Sequence, residues 1–365
     1  MILGLELTFV FLLALAAMFR LLFPRLPRVA MVVLIATNLA LLAVLNAVTA
    51  LYLTAQVVFV MILYAICRRF PAHANRISWF AFLGLIPFNL HMWVGKFVDP
   101  SPIWAELGAA SNARVVWVVG SAFFVVKSFV CLRECLREKA LQPLPILAGL
   151  TFLPSFAAGP IFGLAPFKPD NIAQRLDMRE LARAVMMLGW GLASFYVIAP
   201  EFRDMADRVN PGVVDPVFDM YAKLAALYFD FSGYSLLAIA FGAFFGATLP
   251  QNFNKPYLAT SIREFWQRWH MSLGWFVSMY LFKPFVRVTG SPRKGIFLAF
   301  VLVGLWHEVM PGYFLWGLGH GYALSLAMKP PAWWQRAMAR LPRRVVKLIG
   351  WWLTMTWVAL LSDLA

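Results

Sequence analysis

From Val29 to Ile66 the chain runs without one charged side chain. One α-helical crossing of a bilayer takes about 20 apolar residues. This run is about twice that length, so it predicts two membrane helices joined by a tight turn near Asn46. The rest of the chain agrees. At 62% hydrophobic and 13% charged residues, it is too apolar for a soluble domain. The net charge of +15 fits cytoplasmic loops that face anionic lipid, and nucleic acid is not an expected partner. Cys67, Cys131 and Cys135 show neither pairing nor metal-ligand spacing, so free thiols and no metal are expected.

Basic residues alternate along the apolar runs and set an orientation. Residues 1–19 lack a basic leader and a small-residue cleavage site, which predicts an uncleaved first span with its N-terminus outside the cytoplasm. Arg20, Arg25 and Arg28 mark the inside, and Arg68, Arg69 and Arg76 mark it again after the paired helices. Residues 77–94 and 115–132 read as further spans, with 96–112 outside between them. Residues 144–160 are apolar but short and are interrupted by Gly159-Pro160. That pattern suits a re-entrant segment, because irregular backbone at membrane depth needs protein or a water-filled cavity around it. Residues 168–183 are then cytoplasmic, 184–199 span, 201–219 lie outside, and 221–249 span again. Residues 295–307 lead out and 313–328 lead in. The basic loop 329–347 is inside, and 348–364 exit. The expected fold is an all-α polytopic membrane protein with about ten transmembrane helices, a re-entrant segment and amphipathic interfacial helices. Both termini lie outside the cytoplasm in this scheme. One domain, 1–365, is expected, with its motif-bearing core at about 150–325.

Three of the five histidines, His270, His307 and His320, fall in residues 252–320. Ser261 followed by Glu264 is a capping-box pattern and predicts a helix start near Ile262. Ile262, Phe265, Trp266, Trp269, Leu273 and Phe276 then recur at helical spacing. Arg263, Gln267 and His270 form a strip at the edge of that face, with Glu264, Arg268 and Met271 roughly opposite. Such a cationic helix with indoles at its apolar border suits the membrane surface. His307 closes an apolar run and precedes Glu308, and Pro311-Gly312 breaks the helix. A neutral imidazole is a natural general base near pH 7. His320, with Gly317 and Gly321 beside it, reads as a packing histidine on a small-residue helix interface. Asp230, Ser232 and Tyr234 lie inside another apolar run. There the carboxyl group needs a partner or an aqueous cavity, and interhelical bonding and cavity lining are both open.

Gly159-Pro160-Ile161, YFDFSGYS at 228–235, NFNKPYLATSIREFWQRWHMSL at 252–273 and GLWHE at 304–308 resemble the membrane-bound O-acyltransferases. The resemblance is to their bacterial branch, which includes the membrane protein of alginate O-acetylation and the teichoic acid D-alanyl transferase. The motifs cover roughly the second half of the chain, in the family's order. Two positions depart from that branch. It usually has glycine after the WH histidine, where this chain has Glu308, and a glycine-rich turn where this chain has YLFKPFVRVTG.

The resemblance implies O-acyl transfer from a thioester, either an acyl-coenzyme A or an acyl-carrier protein, used as co-substrate with no tightly bound cofactor. The acceptor is a hydroxyl on a cell-surface polysaccharide or a periplasmic partner. The expected seat is the bacterial cytoplasmic membrane, with a periplasmic acyltransferase or esterase-like protein as partner. His307 and His270 are the expected catalytic pair. Arg263, Arg268, Lys255 and Lys283 are candidates for donor phosphates, and Asn254, Tyr257, Trp266, Trp306, Glu308, Asp230, Ser232 and Tyr234 for the walls of the site. Glu308 also fits a lipid or small-molecule acyltransferase. A transporter or flippase is an alternative of another class, although the repeated halves expected of one are absent from the sequence.

Overall fold

The computed structural model of the chain describes residues 26–45, 47–80, 82, 114–137, 143–156, 158–172, 177–207, 216–307 and 310–364. Among these residues there are helices, turns and irregular segments but no strand. The expected first span, the 96–112 loop, most of the 77–94 span and Glu308 lie outside the described residues.

Helices α1 (Pro27–Leu45) and α2 (Ala47–Arg69) share the long uncharged run, as its length requires, and the expected turn residue Asn46 lies outside the described residues. Then come α3 (Arg114–Cys135), α4 (Pro143–Thr151), α5 (Met178–Ala193), α6 (Ala199–Asp207) and α7 (Pro216–Phe245). The motif region holds α8 (Ile262–Arg268), α9 (Met271–Val277), α10 (Lys283–Thr289), α11 (Pro292–His307) and α12 (Pro311–Met328), and the chain closes with α13 (Ala332–Ala339) and α14 (Arg343–Leu364). Five of these, α1, α4, α7, α11 and α12, begin on proline. Its fixed φ suits a first turn, and its missing N–H would have had no partner there.

Five stretches among the described residues are long and apolar enough to cross a membrane: Pro27–Val44, Ala50–Arg69, Met178–Ala206, Pro216–Phe245 and Arg343–Leu364. Val185, Met186 and Trp190 on α5, and Leu348, Trp352 and Leu360 on α14, are exposed. A water-facing surface rarely gathers large apolar side chains in this way, whereas lipid accepts them. The third stretch is longer than its sequence predicts. Pro200 and Glu201 mark an end, yet the helix continues through a π-turn at Ser194–Ile198 into α6. A π-turn re-registers the ladder where the proline nitrogen has no hydrogen to give. The expected loop 201–219 is correspondingly shorter.

The described residues cluster into two compact units. The first takes those up to Trp190 together with Tyr234–Pro250; the second takes Gly191–Gly233 and Gln251–Ala365. In the first unit, Leu53, Val60 and Tyr64 of α2 pack with Phe124 and Cys131 of α3 and with Ile146 and Leu150 of α4. Asn38 on α1 is buried but satisfied: it donates to the Leu34 carbonyl at 2.8 Å and accepts from the Leu153 N–H at 3.2 Å.

The short apolar segment at 144–160 is α4, then a 3₁₀ turn at Leu153–Ser155, then irregular buried backbone. One face of α3 holds it. Lys127 is 1% exposed, donates to Ser155 Oγ at 2.9 Å and lies 4.4 Å from the centre of the Phe162 ring. Cys131 contacts the Phe162 carbonyl at 3.8 Å, and Glu134 accepts the Leu164 N–H at 2.7 Å. Positions 127, 131 and 134 share a helix face, so the irregular backbone finds its partners along a single stripe.

Cys67, Cys131 and Cys135 are buried free thiols, so introduced cysteines can be read against a quiet background. A 29-residue helix rises about 43 Å, longer than the hydrocarbon core. Single cysteines at Arg179 and Asp204, both exposed, should therefore label from opposite sides. An impermeant maleimide on intact cells should reach position 204 and miss 179 until the membrane is opened. Equal labelling of both in intact cells would contradict the orientation.

Candidate active site

The second unit contains the whole 252–273 block. Ser261 caps α8, its Oγ accepting the Glu264 N–H at 3.2 Å, and the helix starts at Ile262 as the pattern predicts. Glu264 accepts from the Thr260 N–H at 2.7 Å, from Thr260 Oγ1 at 3.0 Å and from Arg268 at 2.5 Å. The Thr260 N–H above all holds its carboxyl below the usual range. Arg268 is thus committed to Glu264, whereas Arg263 is exposed.

The helix does not run on to Phe276 as the periodicity predicts. It breaks at His270, whose backbone is left-handed at φ 44, and resumes as α9. A residue with a β-carbon adopts that conformation only where its surroundings require it. Here the requirement is visible. The Asn254 N–H donates to the Arg268 carbonyl at 2.9 Å, and the Met271 N–H donates to the Asn252 carbonyl at 2.8 Å. The side chain of Asn252, 1% exposed, closes the arrangement. Its Oδ1 lies 2.5 Å from Ser272 Oγ, which donates to it, and 3.2 Å from His270 Nδ1. The break turns His270 from the expected edge strip into the interior, at 3% exposure, with its ring edge-on to Phe231 of α7 at 4.8 Å. Burial above all lowers the proton affinity of His270, and a charge on His307 would lower it further.

His307 is the last residue of α11 and is exposed. Its ring stacks on Tyr313 at 5.6 Å and 18°, and contacts Trp306 at 4.7 Å. The α11–α12 pair is built on missing side chains. A β-carbon on Gly304 would lie 2.3 Å from the Tyr313 carbonyl oxygen, and one on Gly317 would lie 2.7 Å from that of Phe300. His320 is 1% exposed, and its Nδ1 accepts the Trp266 indole N–H at 3.2 Å. A neutral His320 therefore carries its proton on Nε2, and it packs as the glycine pattern predicts. Trp316 touches both His307, at 5.6 Å, and His320, at 4.6 Å, so aromatic contacts link the end of α11 to α8.

The other candidates fall around these rings or apart from them. Tyr257 donates to the Leu224 carbonyl and stacks on Trp269 at 6.3 Å. Asn254 and Lys255 are exposed, and Lys255 is left-handed at φ 48. Asp230 has found its partner: Arg203 on α6 donates to it at 3.1 Å. Ser232 is buried and hydrogen-bonds Tyr228. Tyr234, half-buried, belongs to the first unit. The sequence reading passed over Asn252, Ser272, Phe231 and Lys127. Of these, Lys127 carried a signal, as a lone charge in an apolar run.

A model of the membrane-bound O-acyltransferase family matches residues 137–358. The chain is 32% identical over 230 residues to a peptidoglycan O-acetyltransferase of Helicobacter pylori, covering 58% of this chain and 41% of that protein. It is 31% identical to a probable alginate O-acetylase of Pseudomonas aeruginosa, covering 58% and 43%. With a teichoic acid D-alanyltransferase of Bacillus subtilis the figures are 38% identity, 58% and 59%. The chain therefore spans about half the length of the curated relatives it matches.

Asn252→Ala should destabilise the second unit by about 1–3 kcal/mol, the usual cost of stripping buried polar groups of their acceptor. Thermal unfolding of the purified protein in detergent measures this. An unchanged midpoint would mean that Asn252 does not hold the break at His270.

Proposed function

The chain belongs to the membrane-bound O-acyltransferase family, and from that premise we propose that it transfers a short acyl group, such as acetyl, from a thioester donor to a hydroxyl. The donor is an acyl-coenzyme A or an acyl-carrier protein, and the acceptor is a cell-surface polysaccharide or a periplasmic partner protein that handles one. The observation that carries the reading is the contrast between two histidines in one unit. His307 is exposed at a helix end, while His270 is buried and held by Asn252. The chemistry asks for such a division. A thioester is already activated, so the enzyme mainly has to remove a hydroxyl proton and stabilise the oxyanion that follows.

In this proposal His307 is the base. Its exposed ring can reach an acceptor hydroxyl, and stacking on Tyr313 limits its rotation. His270 is kept neutral by burial and held in place by Asn252. Arg263 and Lys255, both exposed, meet donor phosphates. Arg268, tied to Glu264, contributes to that field less directly. Trp266, Trp306, Tyr257 and Asn254 shape the walls. Asp230, paired with Arg203, fixes α7 against α6, and Ser232 and Tyr234 line the same helix. The protein sits in the bacterial cytoplasmic membrane with the 144–160 segment re-entrant, donor entering from the cytoplasm and acceptor from outside.

Glu308 supports a second reading within the same chemistry, in which the acceptor is a lipid or a small molecule that the carboxylate contacts. Glu308→Gln should then change acceptor preference and leave the pH dependence of the rate alone. A pH profile that moves with the substitution would favour a role in orienting His307 instead.

His307→Ala should lower transfer by roughly two to four orders of magnitude, the range a general base supplies, with expression and helical content unchanged. Release of free thiol from acyl-coenzyme A by the purified protein, with and without a hydroxyl acceptor, reads this directly. A folded variant with near-normal turnover removes His307 from the chemistry. An absence of turnover with every thioester tried would bring the transporter alternative forward.

A further inference from the structure

At one end of the α11–α12 pair lies a groove of about 400 Å³. Its cations are Arg293 and Lys294, on the first turn of α11. Its hydroxyls come from Thr289, Ser291 and Ser325, and Phe297 and Leu298 lie one turn further along α11. None of these lining residues is acidic. Arg293 Nε lies 3.4 Å from Ser325 Oγ, which draws the guanidinium across the groove toward α12. Ser291 Oγ accepts the Lys294 N–H at 3.4 Å, and the positive end of the 16-residue helix adds to the field.

The surrounding chain has the same sign. Between Lys283 and Lys347 there are ten basic residues and one acid, Glu308, which follows the opposite end of α11. Cations and hydroxyls beside an apolar stretch match a molecule with a phosphate at one end and hydrocarbon at the other. A soluble phosphate would have no use for Phe297 and Leu298. Clustered Lys and Arg next to the end of an apolar helix also fit the anionic surface of a leaflet.

We propose that this groove binds the phosphate headgroup of an anionic phospholipid, with Arg293 and Lys294 on the phosphate and Phe297 and Leu298 against the start of an acyl chain. The site shares no residue with the proposed acyl-transfer centre and stands whether or not that centre acts as described.

The full chain, purified in detergent, is titrated with phosphatidylglycerol and with phosphatidylcholine, and bound lipid is counted by native mass spectrometry. Wild type should retain phosphatidylglycerol in preference to phosphatidylcholine. Arg293→Gln with Lys294→Gln should weaken that retention by about twenty-five-fold, at about fivefold per cation. If the double variant does not fold, Lys294→Gln alone should give about fivefold. Arg336→Gln with Arg340→Gln, one on α13 and one just after it and both outside the groove, should leave it unchanged. Equal retention of the two lipids overturns the proposal, as does an equal loss in the α13 variant, which would mean diffuse attraction. Displacement of the lipid by millimolar inorganic phosphate would also overturn it, in favour of a soluble phosphate ligand.

Discussion

One carbonyl oxygen, Oδ1 of Asn252, gathers Ser272 and His270 around a break in a helix. Much of the second unit's local order follows from that. Without an acceptor inside the protein, two polar side chains would be stranded where water does not reach them, and the cost would fall on the folded state. With it, the chain can leave helical geometry at His270, place a left-handed residue, and start again as α9. The backbone bonds from Asn254 to Arg268 and from Met271 to Asn252 fix the same corner from the main chain. Local strain at φ 44 is held by several bonds at once, the usual condition under which such strain persists.

The second support is steric. Gly304 and Gly317 bring two helices together until backbone meets backbone, which holds α12 against the turn of α11 that carries His307. Small residues at such an interface let backbones approach closely, and close packing holds the pair. The aromatic contacts from His307 through Trp316 and His320 to Trp266 then join this corner to α8 without a charged bridge.

Several of these features are legible in the sequence because they are local. The Ser261/Glu264 cap acts over three residues, the division of the uncharged run into α1 and α2 follows from span length, and Gly317 and Gly321 flank His320 with the small residues that helix interfaces favour. The break at His270 was hidden for a physical reason. Ile262, Phe265, Trp269, Leu273 and Phe276 are all buried on either side of it, so the apolar rhythm runs through the interruption unaltered. Asn252 was hidden because its partners lie 18 and 20 residues away, and no short-range pattern announces an interior acceptor. Asp230 was legible as a group in need of a partner, although the identity of Arg203 was not. The span that ends in α6 was misjudged at Pro200, where a π-turn absorbs what reads as a stop.

The stripe of Lys127, Cys131 and Glu134 on α3 bears on how the irregular backbone around Gly159-Pro160 behaves over time. A glycine before a proline invites the idea of a pivot. Yet a β-carbon at Gly159 would sit 2.4 Å from the Ser155 Cα, and that same Ser155 is tied to Lys127. The glycine is there because matter is close, not because freedom is needed. Lys127 on Ser155 and Glu134 on the Leu164 N–H tether the backbone to α3 on both sides of Gly159.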